Sequence, residues 1–213
     1  MVEMNQLKQF VSDLDEDSVL RIMEEIARAG GEGADQAMEA CQHGLKDVGD
    51  RFEAGEYFVG DLIFAGEIMT GAMEIIKPFI GGGGGAGKGK LILCTVEGDI
   101  HDIGKNIVRS MLEATGFDVV DLGIDVPSAK IVETAKDGDI HIVALSGVLT
   151  LALESMKAVV EAFKDSGLRD QVKIIIGGNP VTGEACRWIG ADEWANSPQK
   201  GVNVCSAWAA GNI

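Results

Sequence analysis

The chain has 213 residues, 46 % of them hydrophobic, and a formal net charge of −16, so it can hold one large domain or two small ones around a well-filled core. Its acidity argues against nucleic acid and anionic membrane as partners and is equally what plain solubility asks for, and no run of 18 apolar residues is present to form a transmembrane helix. Four scattered cysteines (Cys41, Cys94, Cys186, Cys205) without CxxC spacing, and an N-terminus lacking the basic and apolar regions of a signal peptide, give the expectation of reduced, mostly buried thiols in a cytoplasmic protein.

The first 80 residues read as helical throughout and carry most of the charge, 17 acidic against 6 basic side chains. Helices are expected at Glu3–Val11, at Asp15–Ala29 with Val19, Leu20, Ile22, Met23 and Ile26 at helical spacing, at Ala34–Phe52 and at Gly60–Ile80. Four helices in this length make a small bundle. Residues 81–90, with seven glycines in ten, read as a flexible linker. They contain a G-x-x-x-x-G-K match at Gly82–Lys88, but Gly89 follows where Ser or Thr is required. The match also precedes a strand instead of following one, so a phosphate-binding loop is rejected.

From residue 91 the period changes. Strands are expected at Lys90–Val96, Phe117–Leu122, His141–Ser146, Lys173–Ile176 and Glu193–Ala195. Helices alternate with them at Ile103–Thr115, Ser128–Lys136, Leu151–Ser166, Gly183–Ile189 and Lys200–Ala210. The alternation predicts an α/β Rossmann-like (flavodoxin-like), doubly wound parallel sheet, preceded by an all-α four-helix cap. Residues 1–80 are the cap, 81–90 the linker and 91–213 the sheet domain.

Ligands of such sheets bind at the carboxyl ends of the strands, and three loops fall there. The first is Gly98-Asp99-Ile100-His101-Asp102-Ile103-Gly104-Lys105-Asn106, with the pattern Asp-x-His-x-x-Gly at Asp99, His101 and Gly104. A histidine on a strand-to-helix loop, with a carboxylate two residues back, suits a metal ligand whose tautomer the carboxylate sets; taken singly, it reads as an exposed or hydrogen-bonded residue. Gly104 leaves room for a large planar group. The second loop, Ser146–Thr150, and the third, Gly177-Gly178, carry small and hydroxyl residues that would line a deep narrow slot. Ser146 and Thr150 can donate to an acceptor within it; taken singly, they read as a strand end and a helix N-cap.

On these residues the sequence resembles the corrinoid (vitamin B12) binding proteins of cobalamin-dependent methyl transfer, similar to those serving methylamines, methanol or methoxy-aromatic compounds and to the cobalamin-binding module of methionine synthase. Gly98–Asn106 carries the family's Asp-x-His-x-x-Gly signature. Its Ser-x-Leu motif maps to Ser146-Gly147-Val148, with Val for Leu, and its Gly-Gly motif maps to Gly177-Gly178. Val48–Phe58 resembles the turn between the last two helices of the family's cap.

The resemblance implies a specific site. His101 would be the lower cobalt ligand in place of dimethylbenzimidazole, base-off and His-on, with Asp99 holding it and sharing its proton. The displaced nucleotide tail would extend between Ser146/Thr150 and Gly177-Gly178. Cofactor contacts would come from Asp99, Ile100, His101, Asp102, Ile103 and Gly104, then Ser146, Val148, Leu149 and Thr150, then Gly177 and Gly178. In methionine synthase a serine two positions after the Thr extends the proton relay, and here that position is Ala152, so the relay would end at Asp99 or water. The cap would shield the methyl group with Phe52, Tyr57, Phe58 and Leu62 as candidates, although core packing explains any one of these residues as well. The linker would let the cap swing away.

The function so implied is a methyl carrier, a non-catalytic subunit cycling between cob(I)alamin and methylcobalamin. Its partners would be a donor-specific methyltransferase, an acceptor methyltransferase (tetrahydrofolate or thiol) and a reductive activator. The helical cap argues against a mutase subunit. The missing basic recognition helix argues against a DNA-binding sensor, and the Asp99–His101 pairing against a flavodoxin-like nucleotide module.

Overall fold

The computed structural model describes residues 4–76, 78–79 and 88–211. The chain divides into two compact units, Met1–Gly87 and Lys88–Ile213. The predicted glycine tract falls on residues 81–87, outside the described residues.

The first unit contains α1 (Met4–Ser12), α2 (Glu16–Arg28), α3 (Ala34–Glu53) and α4 (Val59–Ile76). Apolar residues at helical spacing fill its centre: Leu7, Val11, Val19, Ile22, Met23, Leu45, Val48, Leu62, Ile68 and Met69 are all buried. The α3–α4 turn is tied to the end of α1. Arg51 Nη1 donates to the Ser12 carbonyl (3.0 Å), to Asp13 (3.0 Å) and to the Tyr57 hydroxyl (2.8 Å), and that hydroxyl donates to the Ser12 carbonyl (2.9 Å). The fourth helix ends at Ile76, and Pro78, which has no amide to donate, stands in a turn with Phe79; Lys77 and Ile80 of the predicted helix lie outside the described residues.

The second unit is a five-stranded, all-parallel sheet in the order β2-β1-β3-β4-β5. Its strands are β1 (Lys90–Val96), β2 (Asp118–Val126), β3 (Ile142–Ser146), β4 (Lys173–Gly177) and β5 (Glu193–Ala195). Helices α5 (Ile103–Ala114), α6 (Ser128–Gly138), α7 (Ala152–Asp165) and α8 (Gly183–Ile189) make the crossovers, and α9 (Pro198–Ala209) follows β5. Strands covered on both faces must be apolar almost throughout, and six of the seven residues of β1 are buried. The sheet reverses its winding between β1 and β3, and that switch point opens the crevice where doubly wound folds bind ligands.

Of the boundaries in this unit that differ from expectation, two show their physical cause directly. Strand β2 runs to Val126 instead of stopping at Leu122: Gly123 and Asp125 look like breakers, but the β1–β2 ladder absorbs them by register shifts around Cys94 and resumes at Val96↔Val126. Helix α9 begins at Pro198, where the Ser197 hydroxyl accepts the Lys200 amide as an N-cap and proline takes the first helical position.

All four cysteines are buried free thiols, and burial pushes Cys41, Cys94 and Cys205 up to about 12. A second buried group is Lys105 on α5, only 2 % exposed. Its ammonium donates to Asp121 of β2 (2.6 Å) and to Asn106 (2.8 Å). Arg109 reaches the same Asp121 oxygen at 3.3 Å. Burial raises the Asp121 carboxyl, but the Lys105 bond, the Gly123 amide and the two cations outweigh it and hold the group below the usual carboxylate value.

Lys105→Met strands a largely buried carboxylate that Arg109 only partly compensates, and is expected to lower stability by about 3 kcal/mol. All three tryptophans (Trp188, Trp194, Trp208) lie in the second unit, so urea unfolding followed by tryptophan fluorescence reads that unit alone. Asp121 titrates lower when folded than unfolded, so its contribution is present above about pH 4 and lost as pH falls through the folded value. The gap between native and variant midpoints should therefore narrow in acid.

Candidate functional site

Three parallel strands deliver the three loops to one level. Thr95, Ser146 and Gly177 stand side by side in register at the carboxyl ends of β1, β3 and β4. The first loop leaves β1 and the second leaves β3, so they flank the switch point.

Asp99 is the node of the site. Its side chain is fully buried, and both carboxylate oxygens are occupied. Oδ1 accepts the His101 amide (2.9 Å) and faces His101 Nδ1 (3.0 Å); Oδ2 accepts the amides of Val148 (2.7 Å) and Leu149 (3.0 Å) from the second loop. Burial raises the carboxyl, but the amides of Leu149, His101 and Val148 and the His101 ring outweigh it, leaving Asp99 below its ordinary value and ionised near neutrality. An ionised carboxylate only accepts, so the ring nitrogen that faces it, Nδ1, carries a proton. The ring is half exposed, and Nε2 has no hydrogen-bond partner among the described residues.

The position of Ala152 has a structural counterpart. Oδ2 of Asp99 ends on two backbone amides, not on a side-chain hydroxyl. Ala152 is buried beneath the second loop, where a Cβ added to Gly147 would lie 2.5 Å from the Ala152 Cβ. Gly147 and Ala152 together let the loop descend onto Asp99.

The Gly-Gly pair of the third loop does two different things. Gly178 has φ +125°, and a Cβ on it would fall 1.9 Å from the Gly147 carbonyl oxygen. The Gly147 amide also donates to the Gly177 carbonyl at 3.1 Å. Here the second and third loops meet backbone to backbone, so Gly178 serves loop contact where an open slot wall was expected. A Cβ on Gly177 would meet only the Ala195 carbonyl at 3.6 Å, an ordinary contact.

Ser146 is the last residue of β3, half-buried, as the plainer expectation has it. Thr150 is not the N-cap of α7: it is exposed, the cap position is Leu151, and no side chain bonds there. Sequence reasoning missed Thr95 and Asp125. The hydroxyl of Thr95 donates to the Asp99 carbonyl (2.5 Å), and the Asp125 carboxylate accepts the Gly98 amide (2.6 Å). A threonine inside an apolar strand was the available signal for the first; the early end assigned to β2 hid the second.

Around His101 the surface is apolar. Ile100, Ile103 and Leu151 are 65 %, 70 % and 77 % exposed, and Ile124, Val148 and Leu149 are exposed beside them. Large aliphatic side chains collected on loops at a strand-end crevice mark a surface that something covers. A Cβ on Gly104 would meet nothing within 4 Å, so the space above it is open. Asp102 is half-buried beside Ile103, and its carboxylate accepts from the Asn106 side chain (3.1 Å). Among the described residues no cluster of three or more His, Cys, Asp or Glu could hold a metal ion. One free imidazole nitrogen over an apolar floor fits a metal that arrives in its own flat ring.

Comparison with known proteins agrees. A B12 binding domain model matches residues 89–201, and a second B12 binding domain model matches residues 3–77. The chain belongs to the B12-binding corrinoid proteins of methyltransferase systems. Among its relatives, the trimethylamine corrinoid protein 1 of Methanosarcina acetivorans is 39 % identical over 192 residues, 89 % of each chain. The dimethylamine corrinoid protein of Methanosarcina barkeri is 35 % identical over 200 residues, 93 % of each. Of solved structures, a cobalamin-binding protein from Desulfitobacterium hafniense DCB-2 is 47 % identical, with TM-score 0.88 over 98 % of this chain and 99 % of that one. The methanol:cobalamin methyltransferase complex of Methanosarcina barkeri, at 24 % identity and TM-score 0.78 over 96 % of this chain and 78 % of that one, shares the fold. No helix among the described residues is long and apolar enough to cross a membrane.

The loop interlock separates the two glycines of the third loop. Gly178→Ala is expected to lower stability by at least about 2 kcal/mol through backbone collision and a disfavoured φ, whereas Gly177→Ala should cost under about 1 kcal/mol. Urea midpoints read by tryptophan fluorescence check this; equal costs would show that the Gly147–Gly178 approach carries no constraint.

Proposed function

We propose that this chain is a methyl carrier that binds a cobalamin base-off, with His101 Nε2 as the lower cobalt ligand. The observation that carries the reading is the His101–Asp99 pair. A buried, ionised carboxylate fixes the protonated ring nitrogen, which leaves the other nitrogen free, oriented and more basic.

When bound, the corrinoid supplies a cobalt centre able to take up a methyl group and give it away. The protein's part is to hold, tune and exclude. Asp99 keeps the Nδ1 proton and with it the donor strength of Nε2. Ile100, Ile103, Val148 and Leu149 form the apolar floor, with Asp102 and Gly104 at its edge. Ser146 and Thr150 offer hydroxyls, and Gly177 offers open space, to the polar nucleotide tail displaced by His101; Gly178 contributes through the loop position it permits. Beyond Asp99 stand the Val148 and Leu149 amides, which donate to it and cannot take a proton, so along this path the relay ends at Asp99.

The helical unit belongs to the same proposal as the shield of the methyl group. Leu62 is core and Tyr57 is tied to Ser12, so of the residues considered for that role Phe58 is the exposed one, joined by Val59 and Ile63. The names of the relatives support a methyltransferase partner that loads the methyl group from a donor of the methylamine kind. The same proposal adds two partners that no name carries, a methyltransferase that unloads the group to a folate or thiol and an activator that restores reduced cobalt.

Reconstitution with hydroxocobalamin, removal of free cofactor and a UV–visible spectrum test the ligand. The native chain should retain corrin with a histidine-ligated spectrum. His101→Ala should remain folded by tryptophan fluorescence, since the residue 101 amide still serves Asp99 Oδ1, and should shift the cobalt bands to the water-ligated form. An unchanged spectrum in that variant would remove His101 from the cobalt.

A further inference from the structure

The loop carrying His101 is also held from the far side of β1, by the end of β2. Cys94 is paired with Gly123 and Val96 with Val126, so Thr95 faces an extra residue on β2. That bulge places Asp125 at φ +53°, a left-handed backbone that residues other than glycine seldom adopt and that aspartate tolerates better than most.

The turn aims both ends of Asp125 at the loop. Its amide donates to the Asp99 carbonyl (3.0 Å) and to the Thr95 hydroxyl (2.9 Å). Its Oδ1 accepts the Gly98 amide (2.6 Å). Thr95 is fully buried and closes the circuit with its own bond to the Asp99 carbonyl. The Asp99 side chain is thus fixed by the loop after β3, and its main chain by the end of β2. These are the two strands that flank β1 in the sheet. A carboxylate orients an imidazole only as firmly as its own Cα is held, and the amides of Val148 and Leu149 grip only the carboxylate.

We propose that Asp125 is a positioning residue for His101: from the end of β2 it clamps Gly98 and Asp99, and so sets where the imidazole stands. The proposal rests on the reading of His101 as cobalt ligand. Asp125 acts through Gly98 and Asp99 and needs no contact with the cofactor.

Three substitutions separate its parts. Asp125→Asn keeps an acceptor and tolerates the left-handed backbone. Asp125→Gly keeps the backbone freely and removes the acceptor. Asp125→Ala removes the acceptor and strains the backbone. In the cofactor-free full chain, amide exchange at Gly98 and the ring nitrogen shifts of His101 are followed by NMR. In the chain loaded with hydroxocobalamin, the histidine-ligated fraction is followed by its spectrum. Asp125→Asn should match the native chain. Asp125→Gly should speed Gly98 exchange about fivefold, as expected for loss of one net hydrogen bond, displace the His101 ring signals and lower the ligated fraction; Asp125→Ala should do more of each. Phe163→Leu, a core substitution away from these loops, should cost stability and leave the His101 signals unmoved, which separates positioning from general loosening.

If Asp125→Gly matches the native chain in both exchange and ring shifts, the clamp is overturned. If His101→Ala leaves the cobalt spectrum unchanged, the ligand reading fails instead, and the cofactor-free measurements still decide whether Asp125 positions the ring.

Discussion

A carboxylate with no water around it must find its hydrogen bonds in the protein, and Asp99 finds all of them in the loops of the site. Three backbone amides and one imidazole occupy its two oxygens, while its main-chain carbonyl takes Thr95 and Asp125. An unsatisfied buried charge would cost several kcal/mol, so the arrangement is close to all-or-none. The loop after β1, the loop after β3 and the end of β2 are placed together or not at all. The free nitrogen of His101 is a product of that constraint.

The sheet makes the constraint possible. Parallel strands end in register, so Thr95, Ser146 and Gly177 form one edge, and the reversal between β1 and β3 separates the helices enough to leave a crevice there. Glycine at 147 and at 178 lets two loops approach at backbone distance, and this brings the Val148 and Leu149 amides down to Asp99. The same descent leaves Val148, Leu149 and Leu151 exposed, as Ile100 and Ile103 are on the loop of His101, an apolar surface at the strand ends. Polar satisfaction inside and apolar exposure outside come from one loop conformation.

Much of this was legible in the residues. Buried parallel strands are nearly continuous apolar runs, so β1, β3 and β4 stood out, and Asp99 and His101 announced themselves by spacing at a strand end. The end of β2 was not legible. Gly123 and Asp125 carry the chemistry of a turn, and only pairing with β1 keeps that stretch in the sheet as a bulge. The start of α9 was legible but overlooked, since Ser197-Pro198 is a cap followed by a first-turn proline. Thr150 offered itself as a cap and is none, because the second loop adds a turn before α7 begins.

By itself the sequence determined the two-part organisation, the α/β class of the second unit and which loops gather at the carboxyl ends of its strands, because hydrophobic period and turn chemistry are local properties. The tertiary structure decided which atoms those residues meet. That Asp99 ends on the amides of Val148 and Leu149, that Gly178 makes room for Gly147, and that Asp125 reaches back to Gly98 all depend on contacts between strands far apart in the chain. Such contacts follow from sheet register and loop descent, which no local pattern encodes.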